Sequence, residues 1–179
     1  PMRFVSWNVN GLRAAIRKGI DAYFEELNAD VVMLQETRTL EEQLPKGWSW
    51  PIGWQVTLHP AEKKGYSGVA TGTTHAHTVL QTGKGGELDP SDLEGRVLVT
   101  EVNGVVCINT YLPSGSNKDE RQRFKEGWME EWRSFIRPYL DDERPVVVCG
   151  DLNIAHTEDD IWNPNCLLYT SDAADESTG

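Results

Sequence analysis

Asp30-Val31-Val32-Met33-Leu34-Gln35-Glu36-Thr37 is the stretch on which the fold turns. Val31 to Leu34 form a short unbroken apolar run, the pattern of a strand buried on both faces. The run then hands over to a carboxamide and a carboxylate at the start of a loop. The same ending recurs along the chain. Arg3 to Asn8 alternates apolar and polar in strand fashion and closes on Asn8. Val105 to Tyr111 closes on Tyr111, and the run Pro145 to Cys149 leads to Asp151, with Asn153 two residues on. Strand ends are where a rigid sheet presents reactive groups. Asn and Asp also start turns for local reasons, but Glu36 and Tyr111 are poor turn formers.

Around these strands, Leu12 to Leu27 reads as one helix with Leu12, Ile16, Ile20, Tyr23, Phe24 and Leu27 on one face. Lys118 to Leu140 is the clearest helix, its stripe being Phe124, Trp128, Trp132, Phe135, Ile136 and Tyr139. Residues at steps of three and four make such a stripe a packing face. Trp54 to His59, Ser67 to Thr73 and Thr78 to Gln81 are weaker strand candidates. Arg96 to Val102 and Val105 to Tyr111 flank Asn103-Gly104, a strong hairpin signal. Strands mixed with helices, without internal repeats, indicate an α/β or α+β layered fold with a mixed sheet.

The chain has 179 residues, enough for one sizeable core, and an ordinary balance of 39% hydrophobic and 25% charged residues. Its net charge of −11 excludes a broad electrostatic grip on nucleic acid. Contact with DNA would need local basic spots such as Lys63-Lys64, backbone amides and a bridging cation. No apolar run approaches the roughly 20 residues of a membrane-spanning helix, and the strand-like start leaves no room for a signal peptide. Cys107, Cys149 and Cys166 form no CxxC pair. They read as buried free thiols, which places the protein in a reducing, cytoplasmic setting.

Two carboxylates and two carboxamides at strand ends suit a hard divalent cation. Magnesium takes a few oxygen ligands and keeps several waters, while a separate carboxylate can orient or deprotonate an attacking water. His75 and His77 share one strand face but read as an exposed edge, and His59 and His156 are isolated. Neither a phosphate-cradling glycine loop nor a GxSxG elbow is present.

Six motifs in order resemble the exonuclease III-type apurinic/apyrimidinic endonucleases. They are Ser6-Trp7-Asn8-Val9-Asn10-Gly11-Leu12-Arg13-Ala14, Leu34-Gln35-Glu36-Thr37, Gly65-Tyr66-Ser67-Gly68-Val69-Ala70, Glu94-Gly95-Arg96-Val97, Asn109-Thr110-Tyr111-Leu112-Pro113 and Gly150-Asp151-Leu152-Asn153-Ile154-Ala155-His156. The resemblance implies a four-layer αββα sandwich, the endonuclease/exonuclease/phosphatase fold. It implies that Glu36 binds magnesium or manganese with Asn8 close by. Tyr111 would contact the scissile phosphate, Asp151 would orient or activate water, and Asn153 would help hold the phosphate. Arg13, Tyr66 and Ser67 would meet the DNA. The implied substrate is double-stranded DNA with abasic sites or 3′ ends, cut as in base excision repair, with 3′→5′ exonuclease activity alongside. No obligatory protein partner is evident. Cousin phosphodiesterases and phosphatases usually carry histidine where this chain has Tyr111.

The resemblance runs from Met2 to about Asn165. Family members continue for a stretch that supplies further strands, an aspartate near the site and a closing Ser-Asp-His motif. Here no histidine follows an aspartate. The expectation is a partial nuclease domain over residues 1–165, with the sandwich incomplete at its C-terminal side. Residues 166–179 would be a non-family tail, artefactual or disordered. Such a chain could be a catalytically inactive fragment that binds metal or DNA weakly.

Overall fold

The computed structural model describes residues 1–85, 92–112, 120–151 and 166–169, with residues 120–125 and 166–169 described by backbone alone. The elements are β1 (Phe4–Asn8), α1 (Leu12–Arg17), α2 (Ile20–Leu27), β2 (Val31–Gln35), a 3₁₀ turn (Glu41–Gln43), β3 (Gln55–His59), β4 (Val69–Thr73), β5 (His77–Thr82), β6 (Val97–Val102), β7 (Val105–Tyr111), α3 (Glu120–Leu140), β8 (Val146–Asp151) and β9 (Cys166–Tyr169). One sheet has the order β1-β2-β4-β3 and the other β5-β6-β7-β8-β9. Both are mixed: β1 runs parallel to β2 and β7 to β8, while their other neighbours are antiparallel.

Three apolar layers join four structural ones. Leu12, Ile20 and Phe24 of α1 and α2 pack with Val32, Leu34 and Ala70 on the outer face of the first sheet. Trp128 and Phe135 of α3 pack with Val97, Val99, Val106, Ile108, Val146 and Val148 on the outer face of the second. Between the sheets lie Val31, Met33, Val102, Cys107, Val147 and Cys149, with Phe4 beside them. The architecture is therefore the αββα sandwich. The period-2 alternation of strands explains the division, because odd and even residues of β2, β7 and β8 serve opposite layers.

The alternation also grades the inter-sheet layer along its length. On β1 the inward row is Phe4, Ser6, Asn8, and on β2 it is Val31, Met33, Gln35. On β7 it is Cys107, Asn109, Tyr111, and on β8 it is Val147, Cys149, Asp151. One end is apolar, the middle carries carboxamides, and the far end carries the polar strand terminations.

Several expectations change. The first helical segment is two helices, broken at Lys18-Gly19, where Gly19 sits at φ +89°. Tyr23 lies at the margin of the apolar face, 55% exposed and meeting the Trp7 ring edge-on at 5.8 Å. The stripe of α3 packs as expected from Trp128 onward, while the side chain of Phe124 lies outside the described residues. The Asn103-Gly104 turn has φ of +49° and +79°, the two left-handed residues a type I′ hairpin requires. Residues 166–169, at the start of the segment set apart from the family, form β9 antiparallel to β8. Cys107 is a buried free thiol, its pKa pushed up to about 12 by burial. Cys149, by contrast, is disulfide-bonded, and its register partner on β9 is Cys166. That corrects the expectation of a free thiol there.

Gly150 must be glycine. Its φ is +151°, and a β-carbon on it would fall inside the carbonyl of Thr110, its register partner on β7. Gly150→Ala should lower stability by roughly 3 kcal/mol, the upper part of the usual overpacking range. A urea midpoint equal to wild type would refute this close approach.

Candidate active site

The four strand endings converge. Asn8 closes β1 and donates from Nδ2 to Glu36 Oε1 at 3.0 Å and to Asp151 Oδ2 at 3.1 Å. One amide group thus joins Glu36 to Asp151, which lies 143 positions beyond Asn8 in sequence. The Tyr111 hydroxyl donates to Glu36 Oε1 at 2.6 Å. Arg38 Nη2 donates to Glu36 Oε2 at 2.7 Å. The Oδ1 atom of Asn8 accepts from the Asn10 backbone N–H at 2.9 Å, which fixes which way its amide faces.

Glu36 reaches this position by leaving the strand pattern. It lies one residue past β2 at φ +53°, and Arg38 follows at φ +52°. A regular strand would turn Glu36 toward α1. The left-handed step instead brings its carboxylate to Asn8 and Tyr111. The loop is pinned on both sides: Gly11 and Leu12 N–H groups donate to the carbonyls of Glu36 and Thr37, and Thr37 and Arg38 N–H groups donate to those of Gly68 and Ser67. Gly68 allows this approach, since a β-carbon there would lie 2.5 Å from Thr37 Oγ1.

Electrostatics follow from these contacts. Burial pushes the Glu36 carboxyl up, but the hydrogen bonds from Tyr111 and Asn8 and the Arg38 charge outweigh it, so its pKa is lowered. Burial and the Glu36 carboxylate push the Tyr111 phenol well above its ordinary value. At neutral pH, therefore, Glu36 is an anion and Tyr111 a hydrogen-bond donor. A phenol whose pKa is raised on folding stabilises the fold below its unfolded value, and that contribution is lost as pH rises through the folded one. A difference titration against Tyr111→Phe should show this phenol ionising above the ordinary value of about 10. Glu36→Gln should move it only part of the way back, because burial remains. No movement at all would mean that the carboxylate is not what raises it.

The donor set fits a hard cation. An ionised carboxylate offers about four lone-pair sites; Glu36 Oε1 receives two donors and Oε2 one. A position remains on Oε2, and Asp151 lies across the Asn8 amide. Magnesium bound by one or two carboxylates, with waters and a phosphate completing its shell, needs no more from the protein.

The other sequence candidates are placed as follows. Arg13 reaches the carbonyl of Arg38 at 3.3 Å, on the rim of the site. The Tyr66 hydroxyl accepts from Arg96 Nη2 at 2.8 Å. Ser67 is only 3% exposed at φ +49°, so it shapes the loop through its backbone and does not present its hydroxyl. Asn153 and His156 lie outside the described residues. His59 is paired with Asp92 at 2.8 Å, His75 with Asp30 at 3.0 Å and His77 with the Thr57 hydroxyl at 2.7 Å. His75, beside Asp30, stands at the opposite end of β2 from the site.

Sequence reasoning missed two arginines. Arg38 is two residues beyond Glu36, and its charge next to a strand-end carboxylate was the available signal. Arg96 lies over both the Tyr111 and Tyr66 rings, 5.1 and 5.7 Å from their centroids, and donates to the Tyr111 carbonyl and to Glu94. It was visible only as part of a motif.

The sequence and the fold have known counterparts. The profile described as "Endonuclease/Exonuclease/phosphatase family" matches residues 5–175. The chain belongs to that family. A relative from Bacillus subtilis (strain 168), named exodeoxyribonuclease, is 39% identical over 98% of this chain and 68% of its own length. A Dictyostelium discoideum protein named DNA-(apurinic or apyrimidinic site) endonuclease is 33% identical over 91% of this chain and 45% of its own. Among solved structures, a Neisseria 3′ phosphatase bound to product DNA hairpin superimposes with a TM-score of 0.76 at 25% identity, covering 92% of this chain and 62% of that one. The chain thus spans about two thirds or less of the length of these family members. The family match also runs ten residues past position 165, into the segment that the motifs alone had set apart.

Proposed function

We propose that this chain carries the catalytic half-site of a divalent-metal-dependent DNA repair phosphodiesterase, an abasic-site endonuclease with 3′→5′ exonuclease activity. The observation that carries the reading is the single amide of Asn8 joining Glu36 to Asp151, with the Tyr111 hydroxyl on the same carboxylate. The names of the relatives, an exodeoxyribonuclease and an apurinic/apyrimidinic endonuclease, support DNA as the substrate.

The residues divide the work. Glu36, with Asn8 beside it, would hold magnesium or manganese, and the cation when bound would neutralise phosphate charge. Tyr111, kept protonated, donates a hydrogen bond that can pass from Glu36 to a phosphate oxygen. Asp151, tied through Asn8, is the carboxylate placed to accept a proton from an attacking water. Asn153 would steady the same phosphate. Arg13 and Tyr66 belong to the DNA-facing rim, with Lys63 over the Tyr66 ring at 5.2 Å as a local cation on an acidic protein, while buried Ser67 shapes that rim only through its backbone. No helix among the described residues is long and apolar enough to cross a membrane. For compartment we propose the cytoplasm, supported by the free Cys107 thiol; the Cys149 disulfide is the feature that argues the other way.

The test uses a version of the chain extended to its relatives' length and a duplex with one abasic site. Magnesium should be required for incision and a chelator should stop it. Asp151→Asn should keep the fold and DNA binding but lose about 10²–10⁴-fold in turnover, the usual contribution of a general base. Normal cleavage by that variant would reduce Asp151 to a strand-end turn former. The competing reading, an inactive fragment, is favoured by one fact: the chain spans 45% of one relative and 68% of another.

A further inference from the structure

Beneath the site, two carboxamides cross the space between the sheets. Gln35 is 1% exposed and Asn109 is fully buried. Gln35 Nε2 lies within hydrogen-bond distance of Asn109 Oδ1 at 2.9 Å, the Met33 carbonyl at 3.0 Å and the Ser6 hydroxyl at 3.2 Å, its two protons serving these three acceptors. Asn109 Nδ2 reaches the Leu34 carbonyl at 3.2 Å, the Ala70 carbonyl at 2.8 Å and the Thr71 hydroxyl at 3.2 Å. A single β7 side chain therefore grips β2 and β4 of the other sheet, while Gln35 ties in β1.

Apolar packing between sheets is non-directional and tolerates sliding, whereas hydrogen bonds weaken steeply with misalignment. A fully satisfied buried polar network consequently selects one arrangement of its surroundings. Its location decides what that arrangement serves. Gln35 is bonded to Glu36 in the chain, and Asn109 shares the inward row of β7 with Tyr111, two residues on. Any slip of one sheet against the other would separate the Glu36 carboxylate from the Tyr111 hydroxyl, which now meet at 2.6 Å.

We propose that Gln35 and Asn109 are positioning residues, a cross-sheet clamp that sets the register in which Glu36, Asn8 and Tyr111 assemble. The proposal rests on the reading of those residues as the reactive centre. It differs from a general stabilising role, which any inter-sheet side chain would share.

The test compares Asn109→Leu and Gln35→Met with Val147→Ala, a truncation in the apolar part of the same layer. Manganese binding to the 179-residue chain is measured by electron paramagnetic resonance, and stability by urea unfolding. Asn109→Leu and Gln35→Met should weaken manganese binding about 10-fold or more, the scale on which outer-shell partners act. Val147→Ala should lose stability yet keep its affinity. A crystal structure of either clamp variant should show the Tyr111 hydroxyl beyond hydrogen-bond reach of Glu36. Wild-type affinity together with an intact Tyr111–Glu36 contact in a clamp variant would overturn the proposal. If Asn109→Leu does not fold, Gln35→Met decides by the same measurements. If the wild-type chain shows no manganese binding that Glu36→Gln removes, the metal reading fails, and the crystallographic contact alone decides the clamp.

Discussion

Glu36→Gln, in a version extended to the relatives' length, is expected to fold normally and to lose about 10³-fold or more in abasic-site incision at limiting magnesium. The substitution is nearly isosteric, so the loss traces to charge. Glu36 receives Asn8 and Tyr111 on one oxygen and Arg38 on the other. An amide can accept two of these hydrogen bonds on its oxygen, but its NH₂ faces Arg38 as a donor against a donor. The cation would lose the carboxylate proposed to hold it. Several kcal/mol of charge stabilisation is what a bound metal contributes, and about 4 kcal/mol corresponds to three decades in rate. Single-turnover incision over a magnesium titration reads the effect directly. A rate that matches wild type at every magnesium concentration would remove Glu36 from the metal role.

The second large effect concerns length. The 179-residue chain should incise an abasic duplex at least about 10²–10³-fold more slowly than an extended version, the loss that follows removal of one preorganised donor to a developing oxyanion. The resemblance places an Asp-His pair at the scissile phosphate, and the sequence contains no such pair. The fold gives a second reason. β1, which carries Asn8, stands at the edge of its sheet among the described strands. Its five residues are all half-buried, whereas the five residues of its neighbour β2 are all buried. An edge strand frays at lower free energy than a central one, and here fraying would release the amide that joins Glu36 to Asp151. Hydrogen exchange should find the β1 amides less protected than those of β2, and comparable turnover from the two lengths would show that this part completes a site by itself.

The strands and the site were legible in the sequence for one shared reason. A buried strand must announce itself by an apolar run, and a polar group at its end cannot be hidden in the core. Asn8, Glu36, Tyr111 and Asp151 stood out on that ground and meet within hydrogen-bond distance. What stayed illegible depends on geometry between segments distant in sequence. Gln35 read as a carboxamide at the start of a loop and Asn109 only as part of a motif, and their bond appears only once two sheets are stacked. Arg96 could not be assigned because its partners, Tyr66, Glu94 and Tyr111, come from three segments. The helix break at Gly19 was masked by a periodicity that continues across it.

Glu36 holds a backbone conformation that an L-residue with a side chain enters at a penalty of about 1–2 kcal/mol. Glycine would sit there without strain, but it would also strip Asn8, Arg38 and Tyr111 of the acceptor they share. Hydrogen bonds to a charged group contribute about 1.5–3 kcal/mol each, so the contacts that aim the carboxylate also outweigh the strain of aiming it. Glu36→Gly should therefore lower the urea midpoint, and the bent step after β2 persists because its neighbours hold it and not because its own backbone prefers it.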